Sequence, residues 1–141
     1  MDQINNQFNG FRAIPFGTET GVDFPSDVSK IVFDPPNLSV LIATSVMPSG
    51  DVSGLQICFE NVTGFRYLDE LDLARYWAST GFPRGFHIIE VVGGGWSSEE
   101  TVTQGWDRSC REWLVITGNG CVNVFSPKDP TSEVVTLGPD T

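Results

Sequence analysis

The single histidine and the three cysteines are the residues best suited to chemistry in this chain of 141 residues. A Cys–His pair can form a nucleophilic centre, and three cysteines with one histidine match the ligand count of a zinc site. Structural zinc ligands usually come in pairs about two to four residues apart, whereas the closest pair here is Cys110 and Cys121. We therefore expect no metal and no cofactor. His87, inside the apolar run 86–92, is interpreted as a packed, hydrogen-bonded residue, and all three thiols, Cys58 included, as buried.

Carboxylates are the other candidate catalytic groups. Glu60, Glu90 and Glu112 lie in or beside predicted strands, and a glycosidase needs two such groups flanking a cleft. Solvated charges at strand edges produce the same pattern, so both interpretations stay open. The triglycine 93–95 before Trp96 lacks the lysine and the following helix of a phosphate-binding loop. The sequence thus singles out no catalytic residue.

Acidic and aromatic residues alternate in the polar segment 96–112, which we predict to be irregular, with a short strand over 101–103. Tryptophans outside regular elements are candidate interface anchors, and nearby carboxylates steer basic partners. The alternative for Trp96 is that it folds back onto the core. The predicted partner-binding residues are Trp96, Glu99, Glu100, Trp106 and Asp107.

The charge balance narrows the class of partner. The chain has 18 Asp and Glu against 8 Lys and Arg, a net charge of −10. Such a chain repels nucleic-acid phosphates and anionic membrane surfaces, so we expect a basic protein partner. The longest apolar run, 40–43, is far shorter than a membrane helix. The start of the chain lacks the basic and apolar regions of a signal peptide, which predicts a cytoplasmic location.

One helix is predicted over about residues 70–80. Asp69 fits the N-cap, Leu73 and Trp77 lie on one face, and Gly81 fits the position just past the end. The acidic start of this helix is a second candidate partner surface. Its residues are Asp69, Glu70 and Asp72.

Strands dominate the rest of the chain. Alternating side chains over 38–46 and 55–62 predict one antiparallel hairpin. A second hairpin is predicted over 113–117 and 121–125, with Asn119-Gly120 at the centre of a type I′ turn. Further strands are expected at 30–33, 86–92 and 134–137.

These elements predict an α+β, β-rich fold: a curved antiparallel sheet or small sandwich of about six to eight strands, with the helix closing one face or end. We expect a single domain over 1–141. It would include an irregular N-terminal arm over 1–28, docked by its phenylalanines, and a polar C-terminal tail over 127–141.

Several stretches resemble small, acidic bacterial proteins in which one helix crosses an antiparallel sheet. They are residues 59–77, Gly94-Gly95-Trp96, 113–117 and 121–124, within a resemblance over about 55–126. Some such proteins are immunity proteins of contact-dependent or polymorphic toxin systems. The resemblance implies no catalytic residues.

Two functions from different classes follow. The first is a non-catalytic protein-binding module, of the toxin-immunity type, whose acidic surface meets a basic partner. The alternative is a small hydrolase-like enzyme or ligand-binding β-domain with an aromatic-lined cleft. A pocket converging on His87 or on paired carboxylates would favour the enzyme, and a flat acidic face would favour the binding module.

Overall fold

Two antiparallel sheets and one helix make up the part of the chain that the computed structural model describes, residues 11–17, 26–69, 85–105 and 110–137. The elements, in chain order, are β1 (Arg12–Pro15), β2 (Asp27–Asp34), β3 (Asn37–Val46), β4 (Val52–Phe59), β5 (Gly64–Asp69), β6 (Ile88–Gly93), α1 (Trp96–Gln104), β7 (Glu112–Ile116), β8 (Gly120–Phe125) and β9 (Thr131–Leu137). Sheet A has the order β1-β6-β7-β8-β5, and sheet B the order β2-β3-β4-β9. The predicted β-rich α+β fold with antiparallel sheets is confirmed.

Sheet B confirms the first predicted hairpin. β3 and β4 pair in antiparallel register, with Val40 opposite Ile57 and Ile42 opposite Leu55. Because paired residues point to the same side, these four side chains share one face, and all are buried in the core. The period-two alternation in the sequence therefore identifies the core face of both strands correctly.

The prediction of buried thiols is wrong for Cys58, which is exposed. Cys58 lies opposite Ser39, one position out of phase with Ile57 and Phe59, so it points away from the core. Apolar neighbours suggested burial, but the alternation of β4 decided the side. Cys110 is half-buried and Cys121 is buried.

The central strands of sheet A, β7 and β8, are buried on both faces. The face toward sheet B includes Ile88, Trp113 and Val122, whereas the opposite, outer face carries a second apolar cluster with Ile89 and Leu114. The strand β6, within the run predicted over 86–92, contributes side chains to both clusters, which explains why that run is apolar on both sides.

The predicted N-terminal arm and polar tail each contain a strand: β1 pairs with β6, and β9 pairs with β4. Two of the arm's aromatic rings are packed as expected. Phe11 is buried beside Ile89, and the ring of Phe16 meets that of Trp113 edge-on, with centroids 5.2 Å apart.

The second predicted hairpin, β7–β8, is present, but its turn is not type I′. The Thr117 N–H donates to the Gly120 carbonyl at 2.9 Å, so Gly118 and Asn119 are the central residues of the turn. Neither Asn119 nor Gly120 has the positive φ that the prediction required. The Gly118 N–H also donates to Ser26 Oγ at 2.9 Å, so contacts with the start of β2 help to select the turn conformation.

The sequence predicts an irregular segment over 96–112 with a strand over 101–103, and this is wrong for residues 96–104, which form the helix α1. The helix begins after Gly95 and is followed by Gly105, which has φ of 80° and donates its N–H to the Thr101 carbonyl. In the ranges described, no helix has both the length and the apolar character to cross a bilayer. The helix predicted over 70–80 lies outside the described residues, and its proposed cap, Asp69, is the last residue of β5.

Candidate functional site

A polar cluster lies on the outer face of sheet A, beneath the start of α1. We call it the helix-cap cluster, and its members come from four elements. They are Arg66 of β5, Glu112 of β7, Asn123 of β8, and Trp96 and Glu99 of α1. Strand pairing places Arg66 directly opposite Asn123, so the sheet brings the three strand residues to one face.

Glu112 is the centre of this cluster, and only 2% of its surface is exposed. Its Oε2 accepts the Trp96 N–H and its Oε1 accepts the Ser97 N–H, both at 2.8 Å. The Asn123 amide donates to Oε2 at 3.2 Å. The residue at the N-cap position, Gly95, has no side chain to satisfy these first N–H groups. A carboxylate from β7 therefore caps the helix, where the macrodipole favours negative charge.

Burial raises the pKa of Glu112 above its ordinary value of 4.5. The N–H groups of Ser97 and Trp96, the Asn123 amide and the charge of Arg66 act in the opposite direction but do not cancel the effect. An acid with a raised pKa is a common feature of active sites. Here both of its oxygens are occupied by main-chain N–H groups, and this arrangement supports a structural role.

Arg66 connects α1 to the sheet. Its guanidinium forms two hydrogen bonds with the Glu99 carboxylate, at 3.3 and 3.2 Å, and its Nε donates to Asn123 Oδ1 at 3.2 Å. The same guanidinium lies 4.9 Å from the ring centroid of Trp96, which stacks on Phe125 with centroids 4.4 Å apart. The helix is therefore held by stacking, an ion pair and its cap together.

The structure brings the predicted residues Trp96 and Glu99 together, in contacts within the protein. The packing of Trp96 on Phe125 matches the interpretation in which it folds back onto the core. Glu100 is half-buried and accepts a hydrogen bond from the Gln104 side chain at 2.7 Å. Trp106 and Asp107 lie outside the described residues.

The other candidate catalytic groups lie apart from this cluster. His87 is buried, and its Nδ1 is 2.6 Å from the Ile116 carbonyl oxygen, so Nδ1 carries the proton. Glu90 is paired with Arg111 at 2.9 Å, and Glu60 with Lys128 at 3.3 Å. Among the residues described, no group of three or more His, Cys, Asp or Glu side chains could hold a metal ion.

An exposed patch at one end of the sandwich was not identified from the sequence. We call it the Tyr67 patch, and it consists of Asp27, Tyr67, Asp69 and Asn119. All four residues are exposed, and Tyr67 retains 48% of its surface. The Asn119 amide donates to Asp27 Oδ1. Tyr67 and Asp69 share one side of β5, a period-two relation that was visible in the sequence.

The surroundings of Tyr67 disfavour its ionised form. Partial burial raises the pKa of Tyr67, and the nearby carboxylates of Asp69 and Asp27 raise it further. Two carboxylates from different strands, β2 and β5, thus act on one phenol. The patch is an aromatic surface with a negative rim, which suits contact with a cationic group.

We compared the chain with protein-family models, with curated proteins and with solved structures, and found no match.

Proposed function

We propose that this protein is a non-catalytic binding module that captures a basic protein partner. The observation that carries the proposal is the Tyr67 patch, where an exposed aromatic ring lies beside Asp27 and Asp69. Tyrosine is enriched at interfaces because it offers a large rigid surface with a polar tip, and rim carboxylates steer cations toward it.

The charge of the whole chain supports the same class of partner. Acidic side chains outnumber basic ones by 18 to 8, and several cations are already occupied within the protein. These internal ion pairs are Arg66–Glu99, Arg111–Glu90, Arg111–Asp129 and Lys128–Glu60. The remaining negative charge accelerates association with a cationic protein and disfavours anionic ligands.

The resemblance to toxin-immunity proteins supports a partner of one kind, a toxin with a basic surface. We place this activity in the bacterial cytoplasm. All three cysteines are free thiols, which is typical of a reducing compartment.

The surface of α1 is the second proposed contact, and it includes three of the five residues selected from the sequence, Trp96, Glu99 and Glu100. Val102 is 85% exposed on this helix, and Glu100 lies on its partly exposed side. Trp96 and Glu99 would act there by holding the helix in place, since both are engaged with Arg66.

A titration with a short peptide rich in lysine and arginine tests the proposal and separates the two surfaces. The isotope-labelled full chain is followed by NMR at low and high salt. We expect the largest shift changes at Tyr67, Asp69 and Asn119, and we expect them to weaken as salt screens the charges. Changes centred on α1 would assign the contact to the second surface instead.

Matched charge variants separate a specific patch from the effect of net charge. Asp27→Asn with Asp69→Asn removes two charges from the patch. Asp34→Asn with Glu133→Gln removes two exposed charges elsewhere. The first pair should slow association with the peptide several-fold, and the second should change it much less. Equal effects would contradict a localised site. If a toxin is encoded beside this gene, co-expression should neutralise it, and only the patch variant should lose that protection.

A further inference from the structure

The strand β9 extends past the core of the sandwich. Val134 lies opposite Leu55 of β4 and therefore points to the same side of sheet B, the side that covers the core. Leu55 is 9% exposed, whereas Val134 is 78% exposed. The packing against sheet A thus ends at β4, and β9 is attached through its pairing with β4 along one edge.

In the part of the chain that the structure describes, no strand pairs with the outer edge of β9, and this edge lacks the features that protect the edges formed by β1 and β2. β1 has four residues and ends in Pro15, and β2 carries Lys30 next to a register shift after Val28. The strand Thr131–Leu137 instead pairs with β4 in one continuous register. It contains no proline, glycine or cationic residue, and its only charge is Glu133. Such a flat, regular edge is suited to pairing with another strand.

The sequence of β9 is complementary to itself, so the strand that fits this edge is the β9 of a second copy. In an antiparallel pair centred on Val134, each Val134 faces the Val134 of a second copy, and Glu133 faces Val135. No like charges are opposed, and β-branched residues meet at the centre. The single charge of the strand, Glu133, lies opposite a valine rather than a second carboxylate, so two copies can approach along this edge.

We infer that two copies of this chain associate by antiparallel pairing of their β9 strands, so that the two four-stranded B sheets become one sheet of eight strands. The contact is a single strand edge about 23 Å long, at about 3.3 Å per residue. Because each chain is strongly acidic, the association strengthens when salt screens the repulsion. The inference does not depend on the proposed function.

Sedimentation equilibrium of the full chain, from about 10 μM to about 1 mM and at low and high salt, tests this inference. We expect a monomer–dimer equilibrium that shifts at least several-fold toward the dimer at high salt. A chain that stays monomeric at the highest concentration and salt would overturn the proposal. The edge of β9 would then pair with a strand of another protein or with no strand.

Charge variants at position 134 test the register. Val134→Lys and Val134→Glu should each abolish the dimer, since like charges then face each other, and a mixture of the two should restore it. Val102→Lys makes the same charge change at an exposed valine of α1 and should leave the dimer intact. A dimer that survives Val134→Lys, that is lost equally with Val102→Lys, or that does not return in the mixture would contradict this pairing. Thermal melts confirm that the variants are folded.

Discussion

Glu112 accepts hydrogen bonds from α1 and from β8, although its side chain is nearly inaccessible to water. Burying a carboxylate is costly unless hydrogen bonds and charges compensate. The raised pKa of Glu112 shows that burial outweighs the three hydrogen bonds and the charge of Arg66. The ionised carboxylate of Glu112 therefore holds the helix in place. The folded chain is nevertheless less stable with Glu112 ionised than with Glu112 protonated.

The stability of the protein should consequently depend on pH through Glu112. Since its pKa is raised in the folded state, the folded chain binds this proton more readily than the unfolded chain does. The contribution of Glu112 to the free energy of unfolding is greatest below its ordinary pKa. It falls as pH rises through the folded-state pKa, and then levels off. Urea unfolding from about pH 4 to about pH 8 should show wild type losing stability relative to Glu112→Gln. A difference that stays constant or grows with pH would contradict this expectation.

The three thiols should differ in reactivity, because they differ in exposure. In the native protein we expect a thiol reagent to label Cys58 rapidly, Cys110 more slowly, and Cys121 only after unfolding. Mass spectrometry of labelled peptides over time measures all three in one sample. The denatured protein is the control, in which the three rates should converge. Rapid native labelling of Cys121 would contradict its place in the core.

At the scale of the element, α1 depends on its surroundings more than on its own sequence. The helix has nine residues, including two serines and two threonines, and none of its residues is fully buried. Isolated helices of this length are unstable in water. Its stability must therefore come from the Glu112 cap, the ion pair between Arg66 and Glu99, and the stacking of Trp96 on Phe125.

Gly95→Ala should loosen this attachment. The added Cβ would lie 2.6 Å from Glu112 Oε2 and 2.6 Å from Val91 Cγ1, so a buried side chain would have to move. We expect a loss of about 1–3 kcal/mol in the free energy of unfolding, measured by urea titration. Val102→Ala, at an exposed site of the same helix, should change stability by less than about 0.5 kcal/mol. Equal, small effects of both substitutions would show that the cap does not hold the helix.

At the scale of the whole molecule, the net charge of −10 affects both the folding of the chain and its association with other molecules. Self-repulsion lowers the stability of the compact state. Salt weakens this repulsion, because the screening length falls from about 10 Å at 0.1 M to about 3 Å at 1 M. The same repulsion would oppose the proposed pairing of two copies through β9, and the same negative charge would attract the proposed cationic partner to the Tyr67 patch.

Added sodium chloride should therefore raise the free energy of unfolding before the effect levels off. Urea melts at increasing salt measure the slope. The variant with Asp34→Asn and Glu133→Gln, which carries two fewer negative charges, should show a smaller slope. A stability that decreases with salt would mean that the ion pairs, such as Arg111 with Glu90 and Asp129, outweigh the general repulsion.

The amino-acid sequence by itself determined most of the strands and one core face. Period-two alternation is a local property, so the inward positions of β3 and β4, such as Val40 and Ile57, follow from neighbours in the chain. The covered strand β6 and the β7–β8 hairpin follow from local patterns in the same way. Net charge also needs no coordinates.

Only the tertiary structure decided the features in which distant residues act on each other. The helix α1 forms where local propensity favoured a loop, because Glu112 caps it from 15 and 16 residues away. The Tyr67 patch joins β2, β5 and the β7–β8 turn, whose residues are up to 92 positions apart. A sequence pattern records what each residue prefers in its own segment. It does not record which distant carboxylate will satisfy the end of a helix, and a helix as short as α1 depends on such tertiary contacts.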